Sequence, residues 1–205
     1  YGFEVEYEQI LPMFDWTSWD FFRDRDFTVK TNYTWSDSEV FAGRNPNDLG
    51  LSSAAFCAQF ANECVTTNQQ PLNPSPTLIP GAGLIEDGRQ MQGQSEHLFN
   101  FQIGYTDDSA DADFNLLLNY SSERIRSGEA LNLNIPAVLE QPPMTVDLVY
   151  NKRFNLGGHD YEFSLNIENI FGDDYEAYQE RGGDRVNVDT YDIGQSISFG
   201  LKKEF

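Results

Sequence analysis

Residues 99–105 read Phe-Asn-Phe-Gln-Ile-Gly-Tyr, and residues 114–120 read Phe-Asn-Leu-Leu-Leu-Asn-Tyr. In the first stretch Phe99, Phe101, Ile103 and Tyr105 alternate with Asn100, Gln102 and Gly104. In the second, Phe114, Leu116, Leu118 and Tyr120 share one face, with Asn115 and Asn119 on the other. A period of two puts successive side chains on opposite faces of an extended chain, so each stretch is a β-strand with one greasy and one wet face. Between them, Thr106 to Asp111 is a short turn rich in Asp and Ser, and such side chains close tight turns.

The same pattern recurs in both directions. Phe3, Val5 and Tyr7 alternate with Glu4, Glu6 and Glu8; Phe27, Val29, Thr31, Tyr33 and Trp35 alternate with Thr28, Lys30, Asn32 and Thr34. Met144, Val146, Leu148 and Tyr150 oppose Thr145, Asp147 and Asn151. Tyr161, Phe163, Leu165 and Ile167 oppose Glu162, Ser164, Asn166 and Glu168. Ile197, Phe199 and Leu201 oppose Ser198, Gly200 and Lys202, with Phe205 last. These make about seven strands, each near the roughly 9–11 residues that a tilted membrane strand needs. No segment shows a helical period.

The connections alternate too. Thr106–Asp111 and Asn155–Asp160 are short, whereas Gly43–Gln90, Ser127–Gln141 and Gly172–Thr190 are long and polar. Short turns at one end and long loops at the other is the habit of bacterial outer-membrane barrels. The segment Leu11–Asp24 departs from it: it holds Phe14, Trp16, Trp19, Phe21 and Phe22, and suits an aromatic segment lying at the membrane interface.

Alternation also fits a soluble β-sandwich. Three features favour a membrane barrel: strands longer than the usual five or six residues, aromatics recurring near strand ends, and the long/short loop alternation. In a barrel, Glu4, Glu6, Glu8, Lys30, Asp147, Glu162 and Glu168 must look inward, because charge turned to lipid is costly. The seven strands are expected to pair with others, since unpaired edges are not tolerated in hydrocarbon. The expected fold is therefore all-β: part of an antiparallel transmembrane barrel.

Bulk properties exclude other classes. With 33 acidic and 13 basic residues and a net charge of -20, the chain is a poor nucleic-acid binder. No apolar run reaches the roughly 20 residues of a helical span. The opening Tyr1-Gly2-Phe3-Glu4 is not a signal peptide and reads as mid-strand. Cys57 and Cys64 lie close together in a polar stretch and fit a local disulfide formed in an oxidising compartment.

Four stretches resemble the C-terminal barrel of TonB-dependent outer-membrane receptors, particularly those of sphingomonad-like bacteria. They are Asn166-Ile167-Glu168-Asn169-Ile170-Phe171-Gly172-Asp173-Asp174-Tyr175-Glu176, then Tyr191–Leu201 ending at Phe205, then Asp87–Tyr105, and Tyr120–Ile125. The resemblance implies that residues 1–205 are about the last seven strands of a larger barrel of about 22 strands. It also implies outer-membrane lipid, a plug domain and TonB as partners, with a small-molecule or glycan ligand. The plug and its TonB-contacting box have no counterpart in this sequence. Gln195 stands where the family often has Arg, and Lys203 where it has an apolar or aromatic residue.

No catalytic constellation stands out. His97 and His159 are the only histidines and read as surface polar residues. Asp107, Asp108, Asp111 and Asp113 read as a solvated turn rather than a Ca²⁺ site, lacking the EF-hand spacing. The pair Gly157-Gly158 is a turn, and no cofactor or metal is expected. The functional expectation rests on the loops, where Arg44, Asp48, Asp87, Arg89, Glu123, Arg124, Arg181, Asp184 and Arg185 would crowd the extracellular mouth. Two other readings stay open: a porin-like or structural barrel assembled from several copies, and a secreted soluble β-sandwich binding module. A hydrolase is more distant, for want of a Ser–His pair.

Overall fold

The computed structural model describes residues 1–67, 77–81 and 84–203. It is mostly antiparallel β-structure. Seven long strands form one sheet: β1 (Gly2–Leu11), β2 (Arg25–Ser36), β5 (His97–Asp107), β6 (Ala112–Ser121), β9 (Thr145–Leu156), β10 (His159–Glu168) and β13 (Ser196–Lys203). Their order in the sheet is their order in the sequence, so each strand pairs with the long strand before it. Among the described residues, β1 and β13 each have one neighbour and the sheet is open.

The register puts the two faces where the alternation predicts them. Gln102 pairs with Leu117 and Leu117 with Asp147, all on the wet face. Phe101 pairs with Leu118 and Leu118 with Val146, all on the apolar face. Glu6 faces Asn32, Asn32 faces Asn100, and Asn166 faces Ser198. A one-residue slip in any pair would turn a charged row into the greasy face, so patterning and pairing specify each other.

All three long excursions, residues 37–96, 122–144 and 169–195, leave from one end of the sheet (the loop end). The other end holds the turns at 108–111 and 157–158 and the segment 12–24. The excursions are not plain loops, and here the expectation is corrected. Ser127–Gln141 and Gly172–Thr190 contribute to a second, four-stranded sheet made of β12 (Asp184–Tyr191), β11 (Tyr175–Arg181), β8 (Val138–Gln141) and β7 (Arg124–Ser127). Residues 37–96 hold a helix, α2 (Ser53–Gln59), and a small hairpin of β3 (Cys64–Thr67) and β4 (Thr77–Pro80). The helix is started by Ser52, whose hydroxyl accepts from the Ala55 amide at 3.3 Å, as a Ser N-cap does. These pieces are four to eight residues long, too short for a period to mark them in the sequence. Helix also appears in the aromatic segment, as α1 (Met13–Thr17) followed by a 3₁₀ turn at Asp20–Phe22. Phe205 and residues 68–76 and 82–83 of the first excursion lie outside the described residues.

Few apolar side chains are buried. Among the described residues the buried apolar side chains are Ala42, Phe56, Cys57, Ala112, Val146, Ala177 and Tyr178, and most of these belong to the excursions. Among the described residues no layer covers the apolar face of the long sheet: on its edge strands Phe199 is 80% exposed, and Phe3, Val5, Ile197 and Leu201 are also open. The accessible surface is 13519 Å² for 23.3 kDa, against about 9,700 Å² for a compact monomer of that mass.

Candidate functional site

The excursions leave from the loop end of the sheet, and the charged residues singled out from the sequence gather in them in three groups. The densest is in the four-stranded sheet. Glu140 on β8 is buried and accepts from Arg124 Nε on β7 and from the Tyr175 hydroxyl on β11, each at 2.5 Å. The Tyr178 hydroxyl donates to Glu123, and Arg185 stacks over the Tyr178 ring at 3.6 Å while pairing with Glu176 at 2.5 Å. Arg126 pairs with Asp189 at 2.9 Å, and Tyr175 stacks on Tyr191 with ring centroids 4.8 Å apart. The strand registers set Arg124 opposite Glu140 and Tyr175 opposite Tyr191.

The electrostatics follow. Burial pushes the Glu140 carboxyl up, but the hydrogen bonds from Tyr175 and Arg124 outweigh it and hold the group below its ordinary value. Hydrogen bonding to Glu123, with burial, pushes the Tyr178 phenol up to about 12. The bond to Asp189 raises Arg126. This cluster is a closed set of satisfied ion pairs.

The second group joins Arg44 and Asp87. Arg44 pairs with Glu63 at 3.2 Å and lies over Phe60 at 4.4 Å. Asp87 accepts from the Ala42 amide at 2.8 Å. With Asp48 they border a cavity of about 380 Å³. The sulfurs of Cys57 and Cys64 lie at 2.10 Å, bonding distance, at the two ends of the stretch leaving α2. Closing so short a loop restricts the unfolded chain, so reduction is expected to cost this excursion about 2 kcal/mol. Hydrogen exchange of residues 53–64 with and without dithiothreitol checks this; unchanged exchange would show that the bond adds nothing.

The third group centres on Glu129, which pairs with Arg89 at 3.3 Å, both largely buried, and accepts from the Glu86 amide at 2.7 Å. Glu129, Glu86 and Arg181 border a cavity of about 280 Å³. Asp184 is exposed at the turn of the β11–β12 hairpin, across from Arg181 in the register. Arg44, Arg89, Arg124 and Arg185 therefore each have a carboxylate partner, and the nine loop residues do not converge on one pocket.

Asn169 carries a role that its sequence position did not reveal. It is 4% exposed, sits at φ +52°, and its side-chain amide donates to the carbonyls of Asp173 (3.2 Å) and Gly194 (2.9 Å). Its backbone amide donates to Asp147 at 2.8 Å. It therefore ties both ends of the third excursion to the sheet. Gln195 adds a bond to the Ile170 carbonyl at 2.5 Å. The available signal was an Asn just after an alternating run, since Asn tolerates the left-handed region and bonds nearby backbone.

At the turn end, Asp107 pairs with Arg25 at 2.8 Å, and Asp111 with Arg153 at 3.6 Å. Among the described residues no group of His, Cys, Asp or Glu is arranged to hold a metal ion. His97 bonds the Tyr33 hydroxyl at 2.8 Å, and His159 starts β10. Comparison with models of known protein families, with curated proteins and with solved structures finds no match to this chain.

Proposed function

We propose that this chain forms wall and outer vestibule of a TonB-dependent receptor in a Gram-negative outer membrane, taking up a scarce solute such as an iron chelate or a glycan. In this reading the apolar face meets lipid and the wet face lines the lumen. The excursions are extracellular, and the short turns and C-terminus are periplasmic. The remaining strands of a barrel of about 22 close on the edges of β1 and β13, and a plug domain in the lumen couples to TonB. Solute binds between the plug and the folded excursions; the chain itself does no covalent chemistry.

The single observation that carries this reading is the uncovered apolar face of a long meander whose three large excursions all leave from one end. The staggering of that face supports it further. Phe27, Tyr105, Phe114, Tyr150 and Leu165 share one cross-strand row. The lowest aromatics on β9 and β10, Phe154 and Tyr161, pair with each other four residues beyond Tyr150 and Leu165. At the loop end, Ile167 shares a row with Val29, six residues below Trp35. The apolar band thus runs oblique to the hydrogen-bonded rows. Tilted strands in a closed barrel need this offset, and a sandwich core gains nothing from it.

Cysteine labelling in intact cells tests the topology. Asp184→Cys, on the β11–β12 turn, is expected to react with a membrane-impermeant maleimide. Asp108→Cys, in the β5–β6 turn, should react only after the outer membrane is opened. Equal labelling of both in intact cells would exclude this placement. Uptake of radiolabelled ferric siderophores and oligosaccharides, with and without host TonB, then tests transport; uptake that persists without TonB points to a porin.

A further inference from the structure

Residues 12–24 join β1 to β2 at the turn end with a short helix and a 3₁₀ turn, where the other two such connections are tight turns. Trp16 and Trp19 are 62% and 66% exposed, and Phe21 is open as well. In water such a cluster is a liability, and an exposed apolar patch of this kind marks a contact surface.

The side of the sheet on which it lies identifies the contact. Trp19 stacks on Phe22 at 5.9 Å, Phe22 meets Phe27 at 5.1 Å, Phe27 meets Tyr105 at 5.4 Å, and Tyr105 stacks on Phe114 at 5.5 Å. Phe27, Tyr105 and Phe114 belong to the apolar face, so Trp19, Phe21 and Phe22 continue that face. Arg25 lies over Phe21 at 4.3 Å and pairs with Asp107 at 2.8 Å, two residues beyond Phe27 and Tyr105 on the same face, where the apolar band ends. Arg23 is likewise occupied, by Asp20 at 2.6 Å and by the Phe14 ring.

We infer that residues 12–24 are a lipid-interface anchor, whose Trp16, Trp19 and Phe21 enter the headgroup–acyl boundary of the periplasmic leaflet. This rests on the barrel reading and deepens it. Depth supports it: from Phe27 to Trp35 a strand tilted about 40° climbs roughly 20 Å, most of the apolar band of about 25 Å. Phe27 thus stands near the lower border of the band, and the segment beyond it falls at the interface, where Trp is favoured over either water or hydrocarbon. The backbone polar groups there are turned into local bonds, such as the Phe22 amide to the Trp19 carbonyl at 2.9 Å.

The test uses tryptophan fluorescence of the protein in phosphatidylethanolamine–phosphatidylglycerol vesicles, with Trp19 kept and W16F and W35F introduced. Lipids brominated at the top of the acyl chain are expected to quench Trp19 strongly, lipids brominated near its end weakly, and acrylamide in the water little. A parallel variant lacking all three native tryptophans (W16F, W19F, W35F) carries F163W and reports the belt itself. Deep bromines quenching the Phe163→Trp emission while Trp19 answers only to acrylamide would overturn the anchor and leave the barrel reading standing. If the Phe163→Trp emission also escapes every lipid quencher, the barrel reading falls and the anchor with it.

Discussion

On the proposed barrel reading, Leu116→Arg is expected to abolish accumulation of the protein in outer membranes, while Leu117→Arg, one residue away, leaves it near the wild-type level. Both positions are leucines in the middle of β6, so composition, strand propensity and the introduced side chain are identical. Only the face differs. Leu116 pairs with Ile103 and Leu148 on the apolar side, and Leu117 pairs with Gln102 and Asp147 on the wet side. An Arg near the midplane of a lipid-facing surface costs about 2–4 kcal/mol, a large share of the 5–15 kcal/mol by which folded proteins are typically stable. On the wet face the new guanidinium gains Asp147 as a cross-strand partner, which offsets the lost leucine. The measurement is the heat-modifiable band of folded barrel in outer-membrane fractions. Equal losses for the two variants would mean that both faces are buried alike, as in a soluble sandwich.

Glu140→Ala is expected to loosen the four-stranded sheet without disturbing the seven-stranded one. The substitution removes the shared acceptor of Arg124 and Tyr175 and leaves two buried or half-buried donors without a partner. Breaking a buried pair costs about 3–5 kcal/mol. A third of the Arg124 side chain is exposed, so solvent recovers part of this, and about 2–3 kcal/mol is expected. Hydrogen exchange should rise in β7, β8 and β11 and stay unchanged in β6 and β9; a rise spread over both sheets would show that the cap and the wall are one cooperative unit. Acid should act in the same direction. The Glu140 carboxyl titrates below its ordinary 4.5 in the folded state. Its contribution is therefore complete above about pH 4.5 and is lost as pH falls through the lower folded value. In the Glu140→Ala variant this acid response should be missing.

The loop residues show why local sequence reads a site less well than a fold. Arg89 and Arg185 stand out in the sequence because they are charged and lie in polar stretches. The structure brings Arg89 to Glu129, and Arg185 to Glu176 and the face of Tyr178. The Arg89 pairing spans forty residues of chain, and nothing in the neighbourhood of Arg89 encodes it. Arg185 is nearer its partner, yet its pairing exists only because β11 and β12 form a hairpin, whose Gly182-Gly183 turn sits at positive φ. Of the two short strands, β8 pairs with β11 on one side and with β7 on the other, so β7 joins the sheet through β8.

The sequence by itself determined the seven long strands, their two faces, their turns at one end and their excursions at the other. Those follow from a period of two, and each residue reports its own side. Only the tertiary structure decided that excursions far apart in the chain share one sheet, that Asn169 ties its excursion to the long sheet, and that the aromatic segment continues the apolar face. These depend on which distant groups meet, and a short polar segment satisfies its hydrogen bonds equally well with many partners until the rest of the fold removes the choice.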